Sequence, residues 1–140
     1  RVRSSAASDV YKRQVERVAK NNGYDSFLMF NVYAQRATRP NDMERVCNEA
    51  LHRANMEAFD YILSLSEQPA VWAAWGNIIE QRAYLKDCLA DMIAIGERHD
   101  AQWYTAGRRS VKGHPHHPLY LKATSPLDAF DIRAYCAECL

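Results

Sequence analysis

Short apolar runs that alternate with amphipathic stretches are the feature that most limits how this chain can fold. The runs cover residues 26–32, 70–76 and 101–105. The first is almost continuously apolar, which is typical of a strand covered on both faces in a parallel sheet. Between the runs, apolar residues recur at the three- and four-residue spacing of an amphipathic helix. The pattern predicts an α/β fold: a three-layer sandwich around a short parallel sheet with right-handed crossovers.

The stretches between the runs predict the helices and their ends. The first helix ends at Asn22, before Gly23, which is a typical helix stop. Asn41 is the predicted cap of the next helix, with Glu44 as its capping-box partner, and helical spacing continues to Leu65 as one long helix or a broken pair. A third helix is predicted over residues 79–96. A closing helix is predicted over residues 128–139.

Composition narrows the function classes. The chain has 140 residues and a net charge of +1, which fit one domain and give no overall field that would attract nucleic acid or a membrane. No apolar run approaches the roughly 18 residues of a membrane span. The four cysteines are too sparse for a secreted disulfide scaffold, and no signal peptide precedes them, so we expect a reduced cytoplasmic setting.

The segments that leave the predicted strands indicate where a ligand would bind. In open parallel sheets, ligands lie beyond the carboxyl ends of the strands. Those segments are residues 31–38, 76–77 and 107–120, and they hold most of the polar, glycine and histidine residues near the sheet. We therefore expect the three segments to converge on one edge.

The last of these segments leads into a His-Pro loop, residues 113–121, with three histidines and two prolines. The prolines forbid a regular helix or central strand, so His114, His116 and His117 lie on a stiff loop suited to holding an anionic or hydrogen-bonding ligand. The alternatives are a histidine bonded to the loop backbone and solvated rings. A basic turn precedes the loop and would contact phosphate or be solvated: Arg108, Arg109 and Lys112. A zinc site formed with Cys136 and Cys139 is a further alternative.

The motifs at these strand ends resemble those of the bacterial and phage family of domains of unknown function numbered 1643. The family pattern is Gly-Tyr, then Asn-Leu-Tyr-x-x-Arg-Ala-Thr-x-Pro, then Ala-Trp-Gly, then Gly-x-Pro-x-His-Pro-Leu-Tyr-Leu. The corresponding stretches here are residues 23–24, 31–40, 74–76 and 113–121. The resemblance implies an α/β fold and no assigned chemistry.

The start of the chain departs from that pattern. Residues 1–14 resemble a translated sequencing adaptor found at the ends of metagenomic reading frames, although a disordered or helical tail is the alternative. The family's first strand, with its Asn-Pro-Ser motif, is not found. We therefore expect one truncated domain over residues 15–140, inactive as it stands, and unstable or prone to association because a lost strand exposes backbone and apolar groups.

The order of the strand-end motifs is also similar in architecture to uracil-DNA glycosylases. The resemblance implies that Asn31 reads a base edge and that His117 stabilises the departing base anion, as the two catalytic residues. Each also has a structural alternative, since Asn31 could satisfy backbone groups where the strand ends. Further candidates for ligand binding are Tyr33, Arg36, Thr38, Gly76, His114 and Tyr120. Tyr33 could instead line the core, and Arg36 could form a salt bridge with Asp42 or Glu44.

The leading hypothesis is therefore a protein directed at a nucleic acid or nucleotide through a glycosylase-like site, with no cofactor, no metal and no membrane partner. The competing hypothesis is a non-enzymatic accessory module, which is phage-related and uses the same edge to hold a ligand or partner. Substrate and oligomeric state stay open at this point.

Overall fold

The computed structural model describes residues 6–34 and 44–140. Within those ranges the elements are α1 (Ala6–Asn21), α2 (Glu49–Ser64), β1 (Ala70–Trp72), α3 (Ala83–Arg98), β2 (Gln102–Ala106), β3 (Leu127–Ala129) and α4 (Ile132–Cys139). Short 3₁₀ helices span Gly76–Glu80 and Pro118–Tyr120. In this part of the chain, no helix has the length and apolarity needed to cross a membrane.

The three strands form one sheet in the order β1-β2-β3. β1 and β2 are parallel, with Val71 opposite Trp103, and β3 is antiparallel to β2, with Asp128 opposite Thr105. The α/β fold is confirmed, and the strands predicted at residues 70–76 and 101–105 correspond to β1 and β2. The sheet is mixed rather than wholly parallel, because its third strand comes from the chain after β2.

The strand predicted at residues 26–32 is wrong, because these residues belong to no strand. The segment is covered at one end only. Phe30 packs edge-on against Phe59, with ring centroids 5.3 Å apart, and Val32 packs on the main core. Leu28 is 68% exposed. An apolar run becomes a strand only when another strand pairs with its backbone, and no backbone hydrogen bond to the described residues supplies that pairing here.

Two helix starts also differ from the sequence prediction. α2 begins after Asn48, whose Oδ1 accepts the amide hydrogens of Ala50 and Leu51 at 3.1 and 3.2 Å, whereas the predicted cap Asn41 lies outside the described residues. α4 is capped by Asp131, whose carboxylate accepts the Ala134 amide hydrogen. Residues 127–129 cannot begin that helix, because they pair with β2 as β3. α1 runs without a break across the predicted domain start at residue 15.

α3 lies at the centre of the core. Its buried side chains divide between two clusters, one with Trp103 and Tyr135 and one with Phe59 and Leu63 of α2. Two histidine–aspartate pairs join α2 to α3 along their length: His52 to Asp91 at 2.7 Å, and Asp60 to His99 at 2.6 Å. Both pairs have the same offset along the chain, so the two helices run parallel. This frame holds β1 and β2 so that their carboxyl ends open on the same edge.

Candidate functional site

The segments that leave β1 and β2 meet at the His-Pro loop. The amide of Gly76 donates to the carbonyl oxygen of Pro115 at 3.0 Å, and a Cβ on Gly76 would lie 3.4 Å from the Cβ of His117. Gly107, directly after β2, has φ +74°, and a Cβ there would lie 2.5 Å from a methyl carbon of Leu121. Both glycines therefore allow close approach of the loop. Of the three segments expected at this edge, those at residues 76–77 and 107–120 come together.

His117 is fixed by the loop backbone. It caps the 3₁₀ helix Pro118–Tyr120, and its Nδ1 accepts the Leu119 amide hydrogen at 3.2 Å. Partial burial lowers the pKa of His117 below its usual 6.5, and the neighbouring His116 lowers it further. Because Nδ1 accepts this hydrogen bond, a neutral ring carries its proton on Nε2.

His116 has the opposite arrangement. Its Nδ1 lies 2.5 Å from the carbonyl oxygen of His117, which can only accept, so Nδ1 is the protonated nitrogen. The two adjacent rings therefore contact the loop backbone through Nδ1 in opposite senses, His116 as donor and His117 as acceptor.

His114 is the most buried of the three histidines, with 1% of its surface exposed. Its Nδ1 lies 2.7 Å from the hydroxyl of Tyr135, and its Nε2 lies 3.2 Å from a carboxylate oxygen of Glu80. The Tyr135 oxygen also accepts the indole hydrogen of Trp75 at 3.0 Å. The hydroxyl of Tyr135 therefore donates its own hydrogen to Nδ1 of His114, and Nε2–H of His114 donates to Glu80. Through these two contacts His114 joins the loop to α4 and to the 3₁₀ helix after β1.

The ends of this hydrogen-bond chain have perturbed pKa values. The pKa of the Glu80 carboxyl lies below its usual range. The main cause is Lys86, whose ammonium lies 3.1 Å from the carboxylate, and the second is the hydrogen bond from His114. Burial raises the pKa of Tyr135 to about 12, so the phenol keeps its proton. Sequence analysis missed Tyr135 and Glu80. No pattern in the sequence indicates Glu80.

The hydrogen bonds of Asn31 and Tyr33 within the described residues go to other parts of the chain than this loop. Asn31 is exposed, and its carbonyl oxygen accepts from the Asn55 side chain at 2.8 Å. Tyr33 is 3% exposed, and its hydroxyl oxygen accepts the Asn48 amide hydrogen at 2.7 Å while bonding to Glu44. The core alternative for Tyr33 therefore describes its observed environment.

The structure describes three other predicted site residues less fully. Arg36 and Thr38 lie outside the described residues. Tyr120 is the last residue of the 3₁₀ helix Pro118–Tyr120, directly after His117 and Pro118 in the loop. The candidate residues that the structure brings together are therefore Gly76, His114, His117 and Tyr120.

The basic turn is joined to the same loop. The Ser110 amide donates to the His114 carbonyl at 2.9 Å, and the Ser110 hydroxyl accepts the His114 amide hydrogen at 3.1 Å. The Arg109 guanidinium lies over the Phe130 ring at 5.2 Å, so this side chain has a packing role. Arg108 and Lys112 are exposed beside the loop. The turn therefore carries two accessible cations on a framework bonded to the histidine loop.

The zinc alternative finds no ligand set in the described ranges. There, no three histidine, cysteine, aspartate or glutamate side chains are grouped closely enough to hold a metal ion. Cys139 instead packs by Gly113, with its Sγ 3.7 Å from the Lys112 carbonyl oxygen. All four cysteines are free thiols.

Comparison with known proteins gives one match. Neither the curated proteins nor the solved structures include one that matches this chain. A family model described as "Protein of unknown function (DUF1643)" matches residues 3–119, which include β1, β2 and most of the His-Pro loop. The match also includes most of residues 1–14, which the sequence analysis had set apart. Since it covers well over half of the chain, the protein belongs to the DUF1643 family.

Proposed function

We propose that this protein binds a nucleic acid or nucleotide at the edge where β1 and β2 end, with His117 as the central donor. One observation carries the proposal. The exits of two parallel strands converge on the rigid loop that carries His117, and that loop is bonded to a turn carrying Arg108 and Lys112. This combination suits a ligand with a phosphate and an uncharged hydrogen-bonding group.

The cations would contact phosphate. Exposed arginine and lysine side chains on a fixed turn neutralise phosphate oxygens, and binding of this kind weakens as salt rises. The nearest acidic group of the loop network, Glu80, is already paired with Lys86 and His114, so it opposes such binding little. Because the net charge of the chain is only +1, attraction of phosphate depends on the cations of the basic turn and not on the overall charge.

The reaction that best suits His117 is glycosylase-like release of a base. A neutral donor aimed at negative charge that develops on a departing base stabilises the transition state by about 3 kcal/mol. Arg36 and Thr38 would contribute from the segment after residue 31, with Asn31 as the base reader.

A second candidate is ligand binding without catalysis, and the position of Asn31 favours it. Asn31 lies on a segment that forms no strand, and its side chain is exposed. Reading a base edge needs a rigidly held amide. Without one, the loop and the basic turn would still hold a ligand, as an accessory module requires.

The experiment uses the full chain with a fluorescently labelled single-stranded oligonucleotide, with or without one uracil. Anisotropy at several salt concentrations measures binding, and alkaline cleavage of the product measures base release. We expect Arg108→Ala/Lys112→Ala to weaken binding about tenfold and to lower the salt slope by about one to two. Arg17→Ala/Arg53→Ala, at exposed cations on α1 and α2, is the matched control.

The outcomes separate the candidates. Base release that disappears in His117→Ala, while binding changes less than about threefold, supports the glycosylase-like reaction. Binding without base release in the parent chain supports the accessory module. If the parent chain binds neither oligonucleotide at low salt, or if the two double variants weaken binding equally, the proposal is wrong.

A further inference from the structure

α2 presents a second apolar face to solvent, opposite the face that packs on α3. The inner face carries the buried side chains of Met56, Phe59 and Leu63. At 3.6 residues per turn, the opposite face falls on five other residues, all of them exposed: Ala50, Ala54, Ala58, Tyr61 and the capping residue Leu65. Tyr61 and Leu65 are each 64% exposed. A helix of a globular domain usually carries polar side chains on its outer face, so this one is unusual.

The outer face of α2 calls for an apolar partner. Large apolar side chains grouped on one exposed face mark an interaction site. The two stretches of this chain outside the described residues have the wrong composition for that role, since residues 1–5 are Arg-Val-Arg-Ser-Ser and residues 35–43 are Gln-Arg-Ala-Thr-Arg-Pro-Asn-Asp-Met. Both are mostly polar or charged, so the apolar partner comes from another molecule.

One flank of the outer face carries two opposite charges. Arg53 and Glu57 are exposed and one helical turn apart, so they lie along the same side of the face. Neither forms a hydrogen bond or ion pair with the described residues. A helix that runs antiparallel to α2 and carries the same two charges presents them in the reverse order, so that each charge of α2 faces its opposite.

We propose that α2 packs against α2 of a second copy of this chain, antiparallel about a two-fold axis near residues 55–56. In that register Ala50 lies opposite the partner's Tyr61, and Ala54 lies opposite the partner's Ala58. The small side chains leave room for the large ones, so the two helices approach closely. Arg53 faces the partner's Glu57, and the same ion pair recurs by symmetry on the other side of the axis.

Agreement between size and charge is the reason that a second copy is the partner. The face has its small side chains towards the start of α2 and its large ones towards the end, so only antiparallel pairing places large against small. The same register forms both ion pairs. A shift of one helical turn in one direction would bring Arg53 against the partner's Arg53, and a shift in the other direction would bring Glu57 against the partner's Glu57. The charges therefore select one register.

The size of the contact sets the expected affinity. A helix of 16 residues is about 24 Å long. A contact confined to one face of such a helix in each copy falls at the small end of specific interfaces, at about 1,000 Å² in total. We therefore expect a weak dimer that forms at tens to hundreds of micromolar protein.

The first test measures association of the full chain. Sedimentation and light scattering from micromolar to several hundred micromolar protein should show a monomer–dimer equilibrium. Tyr61→Ser should weaken the dimer at least tenfold, because two large apolar contacts are lost. Tyr61→Phe keeps those contacts and should dimerise like the parent chain. Val111→Ser, at an exposed apolar side chain outside α2, is the matched control and should leave dimerisation unchanged.

The second test uses the charges to verify the register. Arg53→Glu and Glu57→Arg should each weaken self-association about tenfold, because like charges then face one another on both sides of the axis. In an equal mixture, the two variants should associate with each other as tightly as the parent chain does with itself, since every facing pair is again opposite in charge. Native mass spectrometry distinguishes the mixed dimer by its mass. Circular dichroism of each variant verifies that it is folded.

Three results would overturn the inference. The first is a monomer at every concentration, which is also the result expected if another part of this chain covers α2. The second is a dimer that Tyr61→Ser does not weaken. The third is a mixture of Arg53→Glu and Glu57→Arg that associates no more tightly than either variant alone. The inference stands apart from the proposed ligand site, because no residue of α2 belongs to that site.

Discussion

The carboxyl end of β1 and its outer edge differ in how completely their polar groups are paired. Beyond the carboxyl end, the Gly76 amide, the Trp75 indole and both ring nitrogens of His114 all have partners. At the outer edge, the backbone groups of Ala70 and Trp72 make no hydrogen bond to the described residues, and residues 26–32 form no strand. Prolines and glycines shape a loop through local geometry, whereas a strand exists only with a partner far away in sequence. The two regions therefore differ in what each needs from the rest of the molecule.

The largest expected effect tests the paired region. His114→Ala removes a buried ring, leaves a cavity, and deprives Tyr135 of its acceptor and Glu80 of its donor. We expect the free energy of unfolding to fall by about 3 to 4 kcal/mol, measured by urea denaturation. The matched control is His116→Ala, in the same loop but outside the buried network, with an expected loss below about 1 kcal/mol.

Equal losses in the two variants would mean that the hydrogen-bond chain from Trp75 to Glu80 adds no stability. The carboxyl end of β1 and its outer edge would then differ in geometry, and not in the stability that their hydrogen bonds add.

The parts of the fold that could be predicted from the sequence have local causes. β1, β2 and α3 follow from apolar spacing, and the stiff His-Pro loop follows from its prolines. The convergence of that loop with Gly76 follows from the general rule that parallel strands open on one edge. A strand-like composition at residues 26–32 was insufficient, because composition does not say whether a partner strand is present.

The position of the His-Pro loop beside Gly76 could be predicted from the sequence, whereas the contacts of its three histidines could not. Three histidines in one loop have the same sequence signal, yet His114 is buried against Tyr135 while His117 caps a 3₁₀ helix. What separates them is their contact with α4 and with Glu80, which lie 21 and 34 residues away. Such non-local contacts leave no pattern in a single sequence. The start of α4 was misplaced for the same reason, since pairing with β2 turns residues 127–129 into a strand.

A smaller effect concerns pH and the exposed end of the same network. The pKa of Glu80 in the folded protein is lowered from 4.5 by Lys86 and by His114. A carboxyl whose pKa is depressed on folding adds stability above its unfolded pKa, and this stability is lost as the pH falls through the folded value. Glu80→Gln should therefore be less stable than the parent chain at pH 7, and the difference should shrink below about pH 4.5.

Urea midpoints between pH 7 and pH 3 measure this difference. Glu67→Gln, at an exposed carboxylate with no hydrogen bond or ion pair to the described residues, is the control and should stay level with the parent chain throughout. A Glu80→Gln difference that grows as the pH falls would contradict the assigned role of Lys86 and His114.

The smallest expected effect tests the unpaired region. Leu28→Ser replaces a side chain that is 68% exposed on a segment without a ladder, so the free energy of unfolding of the monomer should change by less than about 0.5 kcal/mol. Leu63→Ala, at a leucine of α2 that is 4% exposed, is the contrasting control and should cost about 2 to 4 kcal/mol. Both are measured by urea denaturation at low micromolar concentration, where the monomer predominates. A loss for Leu28→Ser near that of Leu63→Ala would mean that the segment is buried in solution, and the two sides of β1 would then be equally well packed.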